Sequence, residues 1–341
     1  MKKLAIIFAM ALIPMLGFSQ GCVDASDDDG VNVFGFIQPQ FDYNFDTDVN
    51  SFHFNRARLG VNGSIPYDFR YYVVAELSPI FTGNPFLLDA FISYNRYLWA
   101  QGAIGQFKSP FSLELQTACH KLNTIYRSHM VVDLAGPLRD IGFMMYGGND
   151  TTLLRYQVAI MNGTGMNTFD DNSGKDYVGR VVLQPFGSNL LGVGGSFRYG
   201  TSAPASAEAE EDDSRLRYGG EVNFNFKGIT LQGEYIYAED VGSYTEGGGC
   251  GGPGTVVEGS KERQGWYVTA MYMTKFRLQP VVRYEYYDKD IAADDQFQYM
   301  TTFGVNYFFN DWTRLQVNYI LGSDNAIEYN NQLLVQFQVV F

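Results

Sequence analysis

The sequence of 341 residues has little cysteine, little charge and no long hydrophobic run beyond its N-terminus. Three cysteines are too few for a disulfide framework. Charged residues make up 18% of the chain, against about 25% in average proteins. A helical membrane protein is excluded because no later apolar run reaches the roughly 18 residues that a spanning helix needs. The formal net charge of −13 argues against a nucleic-acid-binding protein.

Aromatic residues and glycine are abundant instead. Aromatic residues make up 16% of the chain, and 37 residues are glycine. A chain that is rich in aromatic, glycine and polar residues but poor in long apolar runs has the composition of a transmembrane β-barrel.

The N-terminus has the pattern of an export signal. Lys2 and Lys3 precede the apolar stretch Leu4–Phe18, and the small residues Gly17 and Ser19 predict cleavage after Ser19. We therefore predict a signal peptide over 1–19 and an acidic leader over 20–32. A lone transmembrane helix is disfavoured because the run is short and no charged stop-transfer segment follows. Lipid attachment at Cys22 is a weaker alternative, since Ser19 stands where a lipobox usually has leucine.

Runs of 8 to 14 residues with alternating apolar and polar positions continue to the end of the chain. There are 16 such runs. This even number predicts an all-β fold over 33–341, a 16-stranded antiparallel transmembrane β-barrel. The predicted strands are Val33–Phe45, Phe52–Ser64, Tyr67–Ser78, Phe86–Leu98, Gly102–Lys108, Arg139–Gly147, Thr151–Met161, Tyr177–Phe186, Leu190–Tyr199, Arg215–Phe226, Ile229–Glu239, Arg263–Met273, Phe276–Tyr287, Phe297–Phe308, Trp312–Leu321 and Tyr329–Phe341.

The predicted connections alternate between short and long. Short turns are expected at Ile65-Pro66, Asn149-Asp150, Ser188-Asn189, Lys227-Gly228, Thr274-Lys275 and Asn310-Asp311. Long loops are expected at Asn162–Asp176, Gly200–Ser214, Asp240–Glu262, Asp288–Gln296 and Gly322–Glu328. This alternation is typical of the periplasmic and extracellular ends of an outer-membrane barrel.

The two faces of single strands support the same interpretation. Along Leu216–Phe226 one face is mainly apolar, whereas the other carries Arg217, Glu221, Asn223 and Asn225. No helical segment is long enough to cover sixteen apolar faces, so lipid of the outer membrane is the expected partner. The last strand ends in Phe341 and resembles the signal that the barrel-assembly machinery reads.

Several motifs resemble the phosphate-selective porin O and P family. They are Phe54–Gly60, Leu88–Tyr94, Gly105–Glu114, Arg127-Ser128, Pro137, Arg139, Ile141-Gly142, Asn162–Gly165, Asp171-Asn172, Gly174–Asp176 and Gly179-Arg180. The resemblance implies a porin for passive diffusion of phosphate or other small anions and a homotrimer, without enzymatic activity or cofactor. Two features depart from the family: Tyr126 replaces an acid before Arg127, and only nine lysines are present.

The segment 109–138 is too long for a plain hairpin connection. Its part Leu122–Leu134 has partly helical spacing, and it is less acidic than the other long loops. It resembles the third loop of 16-stranded porins, which folds inward and narrows the channel. We therefore predict a constriction loop, with an external cap as the alternative.

An anion-preferring pore is predicted although the whole chain is acidic. Most acids lie in the leader and the long loops, so the strands, short turns and segment 109–138 keep a surplus of bases. Charges facing lipid cost about 2–4 kcal/mol at the bilayer midplane, so these bases are expected to face inward. The predicted pore-lining residues are Arg56, Arg58, Arg70, Lys108, Lys121, Arg127, Arg139, Arg155, Arg180, Arg217 and Arg283. Alternatively, Arg127 and Arg139 only pin the loop by pairing with Asp133, Asp140 or Glu114.

Other functions are less favoured by the residues. A surface adhesin or scaffold acting through acidic loops remains an alternative, and an outer-membrane hydrolase is a weaker one because only three histidines are present. His53, His120 and His129 have no metal-ligand spacing. The stretch Asp170–Asp176 resembles a calcium loop but lacks its fifth and twelfth ligands. We therefore predict no catalytic site, no metal site and no cofactor.

Overall fold

Sixteen strands form where the alternating pattern predicts them. In the computed structural model they are β1 Asn32–Asn44, β2 Val49–Ile65, β3 Phe69–Glu76, β4 Phe86–Tyr97, β5 Ala100–Lys108, β6 Arg139–Gly147, β7 Leu154–Met161, β8 Asp176–Leu183, β9 Leu191–Ser202, β10 Asp213–Phe226, β11 Ile229–Glu246, β12 Thr255–Tyr272, β13 Leu278–Asp288, β14 Phe297–Phe308, β15 Thr313–Gly322 and β16 Gln332–Val340.

The structure describes residues 30–78, 83–186, 190–204, 212–246, 255–323 and 331–341; for 243–246 and 255–258 it describes the backbone alone. The predicted signal peptide 1–19, most of the predicted leader, the turn Ser188-Asn189, Cys22 and Cys250 lie outside the described residues. Within them, no helix has the length and apolarity needed to cross a bilayer.

Each strand pairs antiparallel with its neighbours in the chain, and β1 pairs with β16. At this seam Gly35 N donates to Phe341 O at 2.8 Å, and Phe341 N donates to Gly35 O at 2.9 Å. Around the barrel wall the sheet therefore has no open edge, and the backbone groups there are paired within the protein as a lipid environment requires. The predicted 16-stranded antiparallel barrel is confirmed.

The connections alternate in length as predicted. Two residues, Lys227 (φ 48°) and Gly228 (φ 87°), join β10 to β11, and two positive φ angles in succession fit the twist of a tight hairpin. At the other end, 30 residues separate β5 from β6. The prediction of a loop over 240–262 is wrong for most of its length, since β11 continues to Glu246 and β12 begins at Thr255. Charged residues in these strand extensions resembled loop sequence.

The barrel is apolar outside and mainly polar inside. On β16 the side chain of Phe337 is 40% exposed, whereas that of its neighbour Gln338 is 4% exposed. Exposed aromatic side chains lie at the short-turn end, where they form an interfacial belt. The members of this belt are Tyr67, Trp99, Phe186, Phe276 and Trp312.

A chain of amide side chains crosses the seam on the inner face, and we call it the amide ladder. Asn55 donates to Gln336 at 2.8 Å, and Gln336 donates to Gln316 at 2.9 Å. Gln316 then donates to Asn306 at 3.0 Å, and Asn306 donates to Gln279 at 2.8 Å. The amide ladder thus links β2, β16, β15, β14 and β13 through neutral groups.

The segment 109–138 contains three short helical turns: α1 Leu113–Gln116, a 3₁₀ turn Cys119–Lys121 and α2 His129–Leu134. Its buried apolar side chains pack against Met144, Met161 and Ile236 on the inner face of the strands. The segment's members of this cluster are Phe111, Leu115, Met130, Val131, Leu134 and Ala135. The predicted helical spacing over Leu122–Leu134 is realised only in α2.

We expect the substitution Gln336→Leu to destabilise the barrel. It removes the acceptor of Asn55 and the donor of Gln316, and both of these groups are buried. The free energy of unfolding is expected to fall by about 1–3 kcal/mol, the cost of leaving buried polar groups unpaired. The change is measured by unfolding the barrel with urea in lipid vesicles and determining the folded fraction from heat-modifiable gel migration.

The matched control is Gln264→Leu on the outer side of β12, where leucine suits lipid and where Gln264 accepts, among the described residues, a single hydrogen bond from the Tyr235 hydroxyl. Equal unfolding midpoints for the two variants would show that the amide ladder contributes no stability.

Candidate functional site

One buried carboxylate on β11 binds the start of α1. Glu234 accepts hydrogen bonds from Leu113 N at 2.7 Å, Glu114 N at 2.9 Å and the Ser112 hydroxyl at 3.1 Å. The Tyr267 hydroxyl donates to the same carboxylate at 2.8 Å. The first N–H groups of a helix have no partner within the helix, so Glu234 satisfies them from the barrel wall.

Arg283 on β13 makes a second connection to the segment. Its Nη1 donates to Glu114 Oε1 at 3.1 Å, to Thr124 Oγ1 at 2.9 Å and to Tyr126 O at 3.1 Å. The other oxygen of Glu114 accepts from Ser128 N at 2.7 Å. Burial raises the pKa of Glu114, although Arg283 opposes the shift. One ion pair thus joins both halves of the segment to the wall.

Further hydrogen bonds bring the middle of the segment to β1, β14 and β15. Ile125 N donates to Asn318 Oδ1 at 2.8 Å, and Asn306 Nδ2 donates to Asn123 O at 2.8 Å. Gln40 donates to the Tyr126 hydroxyl at 2.6 Å. The middle of the segment is therefore bonded to strands on both sides of the seam.

Arginines on the inner face of β8–β13 are paired with acids. Arg180 forms a two-pronged contact with Glu221 at 2.8 and 2.5 Å, and both side chains are buried. The other ion pairs of this wall are Arg198 and Arg215 with Asp176, Arg217 with Asp240, Arg263 with Asp133 and Asp240, and Arg283 with Glu114 and Glu285. This wall therefore presents little uncompensated charge.

Cations beside the seam are held by neutral oxygens instead. Arg56 donates to Gln38 Oε1 at 2.9 Å, and Arg314 donates to Gln338 Oε1 at 3.0 Å. Gln38 in turn donates to Gln338 at 2.7 Å, so the two arginines share one amide pair. An amide oxygen orients a guanidinium without neutralising it.

Two further cations bond backbone carbonyls of the segment. Lys108 Nζ donates to the carbonyl oxygens of Leu115 and Thr117, both at 3.0 Å. Arg127 donates to Glu114 O at 3.0 Å and to Thr117 O at 2.7 Å. Within the described ranges, Arg56, Lys108, Arg127 and Arg314 form no ion pair with a carboxylate. Positive charge is therefore in surplus at this wall.

Cys119 lies at the centre of these cations. Its Sγ is 3.0 Å from Arg58 Nη1 and 3.4 Å from Arg127 Nη1. Burial disfavours the thiolate, but the fields of Arg127, Arg58 and Arg56 outweigh burial and hold the pKa of Cys119 well below its ordinary range. We call Arg56, Arg58, Lys108 and Arg127, together with Cys119, the cation cluster.

The structure brings four of the predicted pore-lining residues, Arg56, Arg58, Lys108 and Arg127, into the cation cluster. Arg139 contacts Asp89 through two hydrogen bonds at 3.0 and 3.2 Å. Arg58 is also paired, with Glu76 at 2.7 Å.

The remaining predicted residues lie elsewhere. Arg180, Arg217 and Arg283 belong to the paired wall. Lys121 is exposed in the 3₁₀ turn, Arg70 is exposed near the first short turn, and Arg155 pairs with Asp150 of a short turn.

Some predicted pairings are wrong, and some partners were not predicted. Asp133 pairs with Arg263, and Asp140 accepts from Gly163 N, so neither pairs with Arg127 or Arg139. These partners depend on strand register, which sequence spacing does not give. Cys119 carried no signal beyond its position in a long loop. In the described part of the chain, no group of three or more acidic, histidine or cysteine side chains is arranged to hold a metal.

Comparisons with known proteins agree with this architecture. A family model described as phosphate-selective porin O and P matches residues 32–341, so the chain belongs to that family. None of the curated proteins that were compared matches it. With its closed 16-stranded barrel, the protein is a porin, an integral β-barrel channel of the outer membrane.

Solved structures with a similar fold are porins and another outer-membrane protein. The anion-selective porin from Comamonas acidovorans is 13% identical with a TM-score of 0.67, covering 92% of this chain and 100% of its own. OmpF of Salmonella typhi, in complex with daunomycin, is 13% identical with a TM-score of 0.69, covering 91% and 97%. The trimer form of the outer-membrane protein OmpT of Vibrio cholerae is 12% identical with a TM-score of 0.68, covering 92% and 100%. At such identities the likeness shows the fold alone.

We predict that Cys119 is a thiolate at neutral pH in the folded barrel. Its thiolate absorbance, titrated in a Cys22→Ser, Cys250→Ser background, is expected to persist well below the ordinary thiol pKa of about 8.5. Because the folded-state pKa is depressed, the thiolate stabilises the barrel fully above the ordinary pKa. That stabilisation is lost as the pH falls through the folded-state value.

The control adds Cys119→Ser to the same background, which should abolish the absorbance step. A step near the ordinary thiol pKa in the folded protein would show that the cation cluster does not hold a thiolate.

Proposed function

We propose that this porin is a passive, anion-preferring channel whose narrowest part is formed by segment 109–138 folded into the lumen. Chloride, phosphate and other small anions would pass along the wall that carries the cation cluster. We propose no catalytic step, because passive diffusion needs only a water-filled path and an electrostatic potential that favours the permeating ion.

The contacts of the segment support its position inside the barrel. Its polar groups bond Glu234, Arg283, Asn306 and Asn318, which lie on the inner face of four different strands. Its apolar side chains pack against the same face. An external cap would bond the rim of the barrel instead.

The cations held by neutral oxygens carry the proposal of anion preference. Arg56, Arg127 and Arg314 are not compensated by carboxylates in the described part of the protein, whereas the arginines on β8–β13 are paired. Acids of the external loops act weakly at the constriction, since exposed charges beyond a Debye length of about 8 Å are screened. The local surplus of positive charge therefore attracts anions.

Processing and assembly complete the proposal. We propose export through the signal peptide 1–19, an acidic leader over 20–32, and insertion of 33–341 into the outer membrane by the barrel-assembly machinery. A homotrimer is proposed because the similar OmpT of Vibrio cholerae was solved in a trimer form.

The reversal potential under a salt gradient tests the anion preference. In planar bilayers the wild type is expected to prefer chloride over potassium. Arg56→Gln is expected to lower the anion-to-cation permeability ratio by about twofold or more, because it removes a charge that no carboxylate compensates.

The matched control is the double variant Arg180→Gln, Glu221→Gln, which removes an ion pair without changing net charge and should leave the ratio unchanged. A cation-selective wild type would refute the proposal.

The position of segment 109–138 is tested by deleting residues 117–133. Removing material from the lumen is expected to raise single-channel conductance by about twofold, since conductance follows the narrowest cross-section. Unchanged conductance in a variant that still shows heat-modifiable migration would place the segment outside the channel.

A further inference from the structure

A cavity of about 450 Å³ lies between segment 109–138 and the inner face of β1–β7. Two kinds of side chain line it. The charged ones include Arg58, Lys108, Asp89 and Arg139, and the apolar ones include Phe34, Tyr72, Phe91 and Phe107. An apolar surface is unexpected here, because the inner face around the amide ladder is polar.

The four aromatic side chains form a continuous series, which we call the aromatic wall. Ring centroids are 5.2 Å apart from Phe34 to Tyr72 and from Tyr72 to Phe91, and 6.2 Å apart from Phe91 to Phe107. The series belongs to β1, β3, β4 and β5, and it crosses β2 at Gly60. A Cβ on Gly60 would lie 2.5 Å from the ring of Phe34, so only glycine leaves the rings free to meet.

Hydrogen-bond donors line the same cavity as the aromatic wall. Among the described residues Lys108 Nζ donates to two carbonyls of the segment, and the third N–H of its ammonium form is available to a ligand. The Arg58 guanidinium lies over the Phe36 ring with its Cζ 5.5 Å from the centroid, at the junction of the charged and apolar linings. These donors suit an anion.

We infer that this cavity binds an amphipathic organic anion, a carboxylate attached to an apolar ring or chain. The inference rests on the proposed anion-preferring channel and names a substrate class for it. The carboxylate would bond Lys108 and Arg58 while the apolar body covers the aromatic wall and removes apolar surface from water. Phosphate, which is hydrated on every side, gains nothing from the rings.

Competition with chloride current tests the inference on the wild-type channel. Acetate, butanoate, hexanoate and benzoate have equal charge but different apolar area, so block is expected to strengthen along the series. Benzoate is expected to block at concentrations about tenfold lower than acetate. Equal block by all four, in a channel that remains anion-selective, would overturn the inference and leave the proposed function intact. A cation-selective channel would refute the proposed function itself.

Variants locate the binding. Phe91→Ala is expected to reduce the advantage of benzoate over acetate by about fivefold without moving the reversal potential, because it removes apolar area and no charge. The control Phe143→Ala lies on the outer face of β6 and should change neither quantity. An unchanged benzoate advantage in Phe91→Ala would overturn the site. If Phe91→Ala loses heat-modifiable migration, Phe91→Leu is tested instead. The same two outcomes then support or overturn the binding site.

Discussion

Backbone hydrogen bonding in a medium without water is the constraint on which this structure depends. The sheet can leave no edge in lipid, so β16 must return to β1 and close the barrel. Closure of sixteen strands creates an interior wider than side chains alone can fill. Glu234 and Arg283 on the strands supply hydrogen-bond partners that the backbone of segment 109–138 lacks within the segment itself.

Charge is distributed unevenly around the barrel. On β8–β13 arginines lie within ion-pair distance of carboxylates of the protein. Beside the seam, glutamine oxygens and backbone carbonyls orient the cations while leaving their charge available. Glu76, which pairs with Arg58, and the thiolate predicted for Cys119 offset only part of that positive charge. One wall of the channel therefore has its charges paired, and the other carries an excess of positive charge.

The strands could be predicted from sequence because alternation with a period of two follows directly from a sheet that faces lipid on one side. The hairpin of β11 and β12 was underestimated because its outer part carries Glu258, Lys261 and Glu262, which look like loop residues. Side-chain partners such as Asp89 for Arg139 depend on which strands become neighbours and in what register. The aromatic wall could not be predicted for the same reason, since its four rings come from four strands and need Gly60 between them.

The amide ladder has a consequence for how the barrel tolerates its surroundings. The groups that join β2 to β16 and onward to β13 are asparagine and glutamine, whose amides neither gain nor lose protons over the range in which proteins survive. Salt screens charges but acts little on neutral hydrogen bonds. The contacts of the amide ladder, which cross the junction between the first and last strands, are thus indifferent to acidity and ionic strength, the two conditions that vary most at the surface of a cell.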